Sequence, residues 1–275
     1  MARSMWSGSV AFGLVNVPVK LYSAISEQDI HFHLLNSDGS CRLREKLYCP
    51  ETGKEYDFKD TAKGFELAPD QYIILNKDEQ EQLKPEAGDV LEITDFVDLK
   101  EIDPIYLNRT YYLGPDRGGA KPYRLLFEAM EKTNKAAIGT FVMRGHQYLA
   151  AIRVGRGLLC LETMYFAEDI RDTEEVEGIE RGKVDKRELA LASQLIDNWT
   201  TQFKPEKYHN TYRDKVKAAL EKKSKGKRLE TAPKKKKAGT VVDLMSALKA
   251  SMSKKGKAEK PVARAGGSKK RKKAG

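Results

Sequence analysis

Charge is distributed so unevenly along this chain that only its first four-fifths can fold around a core. Residues 222–275 hold 20 Lys or Arg against Glu230, Asp243 and Glu259, a net of +17. The whole chain carries +10, which leaves −7 for residues 1–221. The body is an acidic, core-forming protein and the tail is a polycation that needs a polyanion, either nucleic acid or an acidic membrane surface. The tail contains no Phe, Trp or Tyr. A membrane anchor would add apolar wedges to its charge, and a single-strand binder would offer rings for base stacking. What remains is phosphate attraction without base reading, suited to duplex DNA or bulk RNA. The alternative is a solubilising or localising tail with no specific partner.

No run approaches the ~20 apolar residues that span a bilayer, and Met1-Ala2-Arg3-Ser4-Met5-Trp6 has no signal-type apolar segment. No membrane partner is expected, and a cytoplasmic, nucleoid-associated location is. The three cysteines, Cys41, Cys49 and Cys160, are too few and odd in number for a disulfide framework. Cys41 and Cys49 lie near His31 and His33, but Thr52 stands where a Cys-x-x-Cys pair would be completed. A structural zinc site wants such pairs, so no metal and no cofactor are expected. His31 and His33 read as one face of a strand.

Strand patterns dominate the body. Val10, Phe12 and Leu14, then Val17, Val19 and Leu21, alternate with a phase change, and Gly13 and Pro18 suggest a bulge or an edge. Further strands are expected at 30–35, 72–75, 90–97, 106–113, 138–143, 148–154 and 158–165, with a hairpin at Arg144-Gly145-His146-Gln147. Helices are expected at 77–83 and 122–132, from a capping box at Asp185 and Glu188, and along Tyr208, Tyr212, Val216 and Leu220. Without β-then-α alternation, the fold class is mainly β with helices (α+β), an antiparallel sheet or barrel.

Catalytic motifs are missing. The histidines have no metal-protease spacing, Gly155-Arg156-Gly157 lacks the third glycine of a dinucleotide loop, and Gly114–Lys121 fails the phosphate-loop pattern at Ala120. Basic residues are instead segregated. Residues 109–156 carry nine Lys or Arg against Asp116, Glu128 and Glu131, a net of +6 inside an otherwise anionic body. Gly-flanked arginines there suit contact with a phosphate backbone.

Trp6-Ser7-Gly8-Ser9-Val10-Ala11-Phe12-Gly13-Leu14-Val15-Asn16-Val17-Pro18-Val19-Lys20-Leu21-Tyr22-Ser23-Ala24 closely resembles the opening of bacterial Ku, the DNA-end-binding protein of non-homologous end joining. The likeness continues through residues 30–35, Lys63-Gly64-Phe65-Glu66, Tyr111–Pro115, Tyr123-Arg124-Leu125-Leu126, 138–145 and 208–212. Cys49-Pro50-Glu51-Thr52 departs from relatives with a fuller cysteine pair. The resemblance implies a non-catalytic Ku-type β-barrel with long arms. It also implies a homodimeric ring on double-stranded DNA ends and recruitment of an ATP-dependent DNA ligase, ligase D. On this view residues 1–184 are the core, with the basic window 109–156 building the bridge over DNA. Residues 185–221 are a helical arm and 222–275 a Lys-rich tail.

The expected ring contacts are Arg117, Lys121, Arg124, Lys135, Arg144, Arg153 and Arg156. The expected DNA contacts in the tail, beyond the ring, are Lys234, Lys235, Lys236, Lys237, Lys269, Lys270, Arg271, Lys272 and Lys273. Between those tail runs, residues 240–252 form an apolar island in which Thr240 and Asp243 can cap a helix bearing Val241, Leu244, Met245 and Leu248. So short a helix is marginal alone and suits docking on a partner, by the resemblance the ligase, or alternatively on the protein's own body. A DNA-coating protein that binds mainly through its tail, and a carboxylate nuclease, are the rival readings.

Overall fold

The computed structural model describes residues 3–85, 88–179, 182–226, 245, 247, 248 and 251. They divide into two units, Met1–Val176 and Glu177–Gly275.

Alternation builds the first unit. In β1 (Trp6–Phe12) and β2 (Val15–Ser23), Val10, Val17, Val19 and Leu21 are fully buried, while Asn16, Pro18 and Lys20 between them are not. Gly13, at φ +56°, turns the chain between the two strands. Pro18 lies inside β2 opposite Ser9, not at an edge. Its carbonyl accepts Asp116 N–H at 3.0 Å. In an antiparallel ladder a residue's N–H and C=O face the same neighbour. The missing proline donor therefore points past the last pair with the next strand and costs no ladder bond.

β2 ends and the chain leaves the barrel for residues 24–89. Two small ribbons form there, β3 (Leu47–Tyr48) with β4 (Glu55–Tyr56), and β5 (Lys63–Ala68) with β6 (Gln71–Leu75). Helix α1 (Lys77–Gln82) follows, capped reciprocally by Asn76 and Glu79. No described residue of 24–89 is buried. The strand expected at 30–35 is absent apart from one bridge, Leu35 to Arg42, and His31 and His33 are exposed. Among the described residues its apolar side chains meet no sheet face on which to alternate.

The barrel then resumes with β7 (Val90–Asp98), β8 (Leu107–Pro115), helix α2 (Ala120–Thr133), β9 (Lys135–Met143), β10 (His146–Gly155) and β11 (Leu158–Met164). The order around the closed barrel is β1-β2-β8-β11-β10-β9-β7. Six neighbour pairs are antiparallel, and the parallel seam of β1 on β7, Ser9 to Val90 through Ala11 to Glu92, closes the ring. Closure removes the free edges that an open sheet would expose. Leu91, Leu113, Phe141, Ile152, Leu159 and Leu161 fill the interior. Trp6 meets Phe141 edge-on at 5.7 Å.

Residues 109–156, expected to bridge DNA, are thus barrel staves and α2; the segment that leaves the barrel is 24–89. In the second unit, α3 (Lys186–Trp199) is capped by Asp185, which accepts from Arg187 and Glu188 N–H, and α4 (Thr211–Ser224) by Asn210. Neither helix buries a residue fully.

Candidate nucleic-acid interface

The strand registers sort the basic window onto two opposite rims. Gly155 pairs Leu158 around the turn Arg156-Gly157, and Met143 pairs His146 around Arg144-Gly145. These turns sit at the two ends of β10, whose ten residues separate them by roughly 30 Å. Both turns have positive φ at both central positions: +55° and +77° at Arg144-Gly145, +53° and +78° at Arg156-Gly157. That is the type I′ geometry of two-residue hairpins, where Asn or Asp precedes Gly most comfortably. Arginine in the left-handed region carries a steric penalty of about 1–2 kcal/mol. Its presence at both tips is a local conflict of the kind found at functional positions.

Three further cations share the rim of Arg156. Leu113 of β8 faces Leu159 of β11, so Arg117 emerges beside the Arg156 turn. Lys135 opens β9 two residues before the last β9–β10 pair, Ala137 to Ile152. Helix α2 carries Lys121 and lies across this rim, since it runs from the end of β8 to the start of β9. Its Leu126 and Met130 are buried in the core. The Tyr123 hydroxyl donates to Leu113 C=O at 2.7 Å and accepts Leu159 N–H at 3.0 Å, and burial raises its pKa. Gly119 fits this corner because a Cβ there would stand 2.3 Å from the Pro18 carbonyl oxygen.

The charges differ in availability. Among the described residues, Arg117, Lys121, Arg144 and Arg156 make no ion pair. Arg124 Nε meets Glu128 at 2.7 Å and Lys135 Nζ meets Asp98 at 2.8 Å, both exposed. Such pairs are worth little and exchange readily for phosphate. Asp116, the acid nearest Arg117, is answered by Lys20 at 2.7 Å, whose hydrogen bond lowers its pKa. Arg153 stands apart. Its Nε and Nη2 donate to Glu162 Oε1 at 2.8 and 2.5 Å, and Thr110 hydroxyl donates to Oε2 at 2.5 Å. The Glu162 side chain is only 4% exposed. This arginine holds a buried carboxylate on the barrel wall.

Lys234–Lys237, Lys269–Lys273, Val241 and Leu244 lie outside the described residues; Met245 and Leu248 lie within them and are helical. Arg42 and Arg44, which flank Leu43 in the excursion, are exposed and make no ion pair among the described residues. The sequence window missed them because acids surround them in the chain. Their alternate spacing, which puts both on one face of extended backbone, was the available signal. No described group of three His, Cys, Asp or Glu side chains could hold a metal. No helix among the described residues is long and apolar enough to cross a membrane.

The family model described as the Ku70/Ku80 β-barrel domain matches residues 11–191. The chain is 41% identical over 254 residues to a protein of Anaeromyxobacter sp. (strain K) named non-homologous end joining protein Ku, covering 92% of this chain and 86% of that one. Proteins of the same name from Symbiobacterium thermophilum and Bacillus subtilis are 40% and 37% identical over 91% of this chain, which spans 62% and 81% of their lengths. With a closed β-barrel and a family match across residues 11–191, the chain belongs to the Ku β-barrel family.

Proposed function

We propose that two copies of this chain close a ring around the end of double-stranded DNA, hold it by its phosphate backbone without reading bases, and present it for joining. The excursion 24–89 carries this reading. It leaves and re-enters the barrel at the rim of Arg144, since Ser23 ends β2 and Val90 opens β7 there. It exposes Phe32 (66%), Phe58 (82%), Phe65 (66%) and Ile74 (64%) and buries none of its described residues. Apolar surface on this scale marks a protein interface, and a second copy is the partner that closes a ring by two-fold symmetry. Arg117, Lys121, Lys135, Arg144 and Arg156 supply phosphate contacts from the rims, and the Lys-rich tail adds attraction beyond them. Binding rather than catalysis is the activity. The chain recruits an ATP-dependent DNA ligase of the ligase D type through residues 240–252, among them Met245 and Leu248.

A competition gel shift tests the ring. Labelled linear duplex is challenged with equal masses of linear and covalently closed relaxed circular DNA at moderate salt. Displacement by the linear competitor alone is the expected result. Equal displacement by both refutes entry through ends and leaves plain polycation attraction.

A further inference from the structure

Helix α3 presents an apolar face on which Ile196 and Trp199 are exposed. Leu195, Ile196, Trp199 and Thr200 line a groove of 410 Å³, and Ser251, from the apolar island of the tail, forms its remaining described wall. The island's own coverage agrees with that seat. Met245, Leu248 and Ser251 are each half-covered, whereas Ala247 is exposed. At about 100° per residue these three span an arc of about 120°, and Ala247 lies just beyond its edge. The twenty residues between Ser224 and Met245 reach at most about 70 Å, ample for the island to return to α3 of its own chain.

We propose that the island seats on the Leu195–Thr200 face of α3 in the same chain through Met245, Leu248 and Ser251 and acts as an intramolecular latch. The latch needs no ligase. Its consequence for partner capture does rest on the proposed docking role: Met245 and Leu248 are half-covered in the latched state, so a partner that grips them must first displace α3. A latch closed nine-tenths of the time would weaken that partner's apparent affinity roughly tenfold. The tail then offers its docking residues freely only when the latch opens.

The test places a nitroxide at Ser251→Cys in the full chain, with Cys41→Ser and Cys49→Ser to remove the reactive background. The expected spectrum is immobilised and independent of protein concentration. Ile196→Asp, at a site 67% exposed, should shorten the label's correlation time at least fivefold with unchanged helical circular dichroism, and Trp199→Ala should do the same. A mobile label in the parent chain overturns the latch and leaves the island for an external partner. A label immobilised equally in the parent and both variants overturns the α3 seat. In a third arm, labelled Ile196→Asp chain is mixed with excess unlabelled parent. Continued mobility supports the same-chain seat, and immobilisation assigns the groove to a second copy and overturns it. None of these readouts involves DNA or ligase, so failure of the ring reading leaves them intact.

Discussion

Two arginines three positions apart, Arg153 and Arg156, should respond to mutation in opposite ways. Arg153→Ala removes two donors from a carboxylate that is 4% exposed and leaves it only the Thr110 hydroxyl. Stripping one partner from a buried pair costs about 3–5 kcal/mol. The Arg153 side chain is itself 32% exposed, so water can enter the space it vacates, and a loss of about 2 kcal/mol is the appropriate scale. For a unit of this size that lowers Tm by about 4–8 °C. The log–log dependence of DNA affinity on salt should not change, because no phosphate contact is lost. Arg156→Asn does the reverse. Asn-Gly is the preferred pair for a type I′ turn, so stability should hold or rise by up to about 1 kcal/mol. The salt slope should fall by about 0.9 for each phosphate contact removed. The assays are thermal unfolding and DNA titration across several salt concentrations. A reduced slope for Arg153→Ala with unchanged Tm would refute the assignment of Arg153 to the wall. An unchanged slope for Arg156→Asn would remove its rim from the interface.

Gly139→Ala should destabilise the barrel by about 1–3 kcal/mol, seen as a lower denaturation midpoint, because the new Cβ would stand 2.1 Å from the Glu92 carbonyl oxygen on β7. Tyr123→Phe should cost about 1–3 kcal/mol in the same assay, since it leaves Leu113 C=O and Leu159 N–H without the hydroxyl that α2 supplies. Ellman's reagent should titrate two of the three thiols in the native protein and the third only after unfolding. Cys160 is buried and its pKa is raised by that burial, while hydrogen bonds from Thr52, side chain first, lower that of Cys49. The fastest phase should disappear in Cys49→Ser and should persist to lower pH than an ordinary thiol's.

Legibility in the sequence followed whether a residue's neighbours are local. The staves of the barrel were readable because Val17, Val19 and Leu21, or Leu159 and Leu161, alternate against a single interior. The cap at Asp185 follows from chemistry within four residues. Pro18 was read as a bulge or edge signal because the reason it is tolerated lies on another strand, past the Val19–Pro115 pair. The segment 30–35 was misread for the opposite reason: its apolar pattern is real, but among the described residues it meets no sheet face that would organise it. The ribbons at 47–48 and 55–56 are too short to show a period.

The candidate site divides along the same line. Linear clustering found the basic window but not its folding. It grouped Arg144 with Arg156, which β10 holds at opposite rims, and it took Arg153 as a candidate DNA contact without seeing Glu162, nine residues away in sequence, which stands diagonally across the β10–β11 ladder and accepts its hydrogen bonds. A charge excess in a window is a sum, whereas binding depends on which charges remain unanswered after the strands have paired. Arg117, Lys121, Arg144 and Arg156 survive that subtraction among the described residues. Two of them, Arg144 and Arg156, occupy the left-handed position that a purely structural hairpin would give to Asn. Backbone penalty and unanswered charge thus coincide at the same two tips. That coincidence, more than the net charge of the window, is what the proposed phosphate contact at these turns rests on.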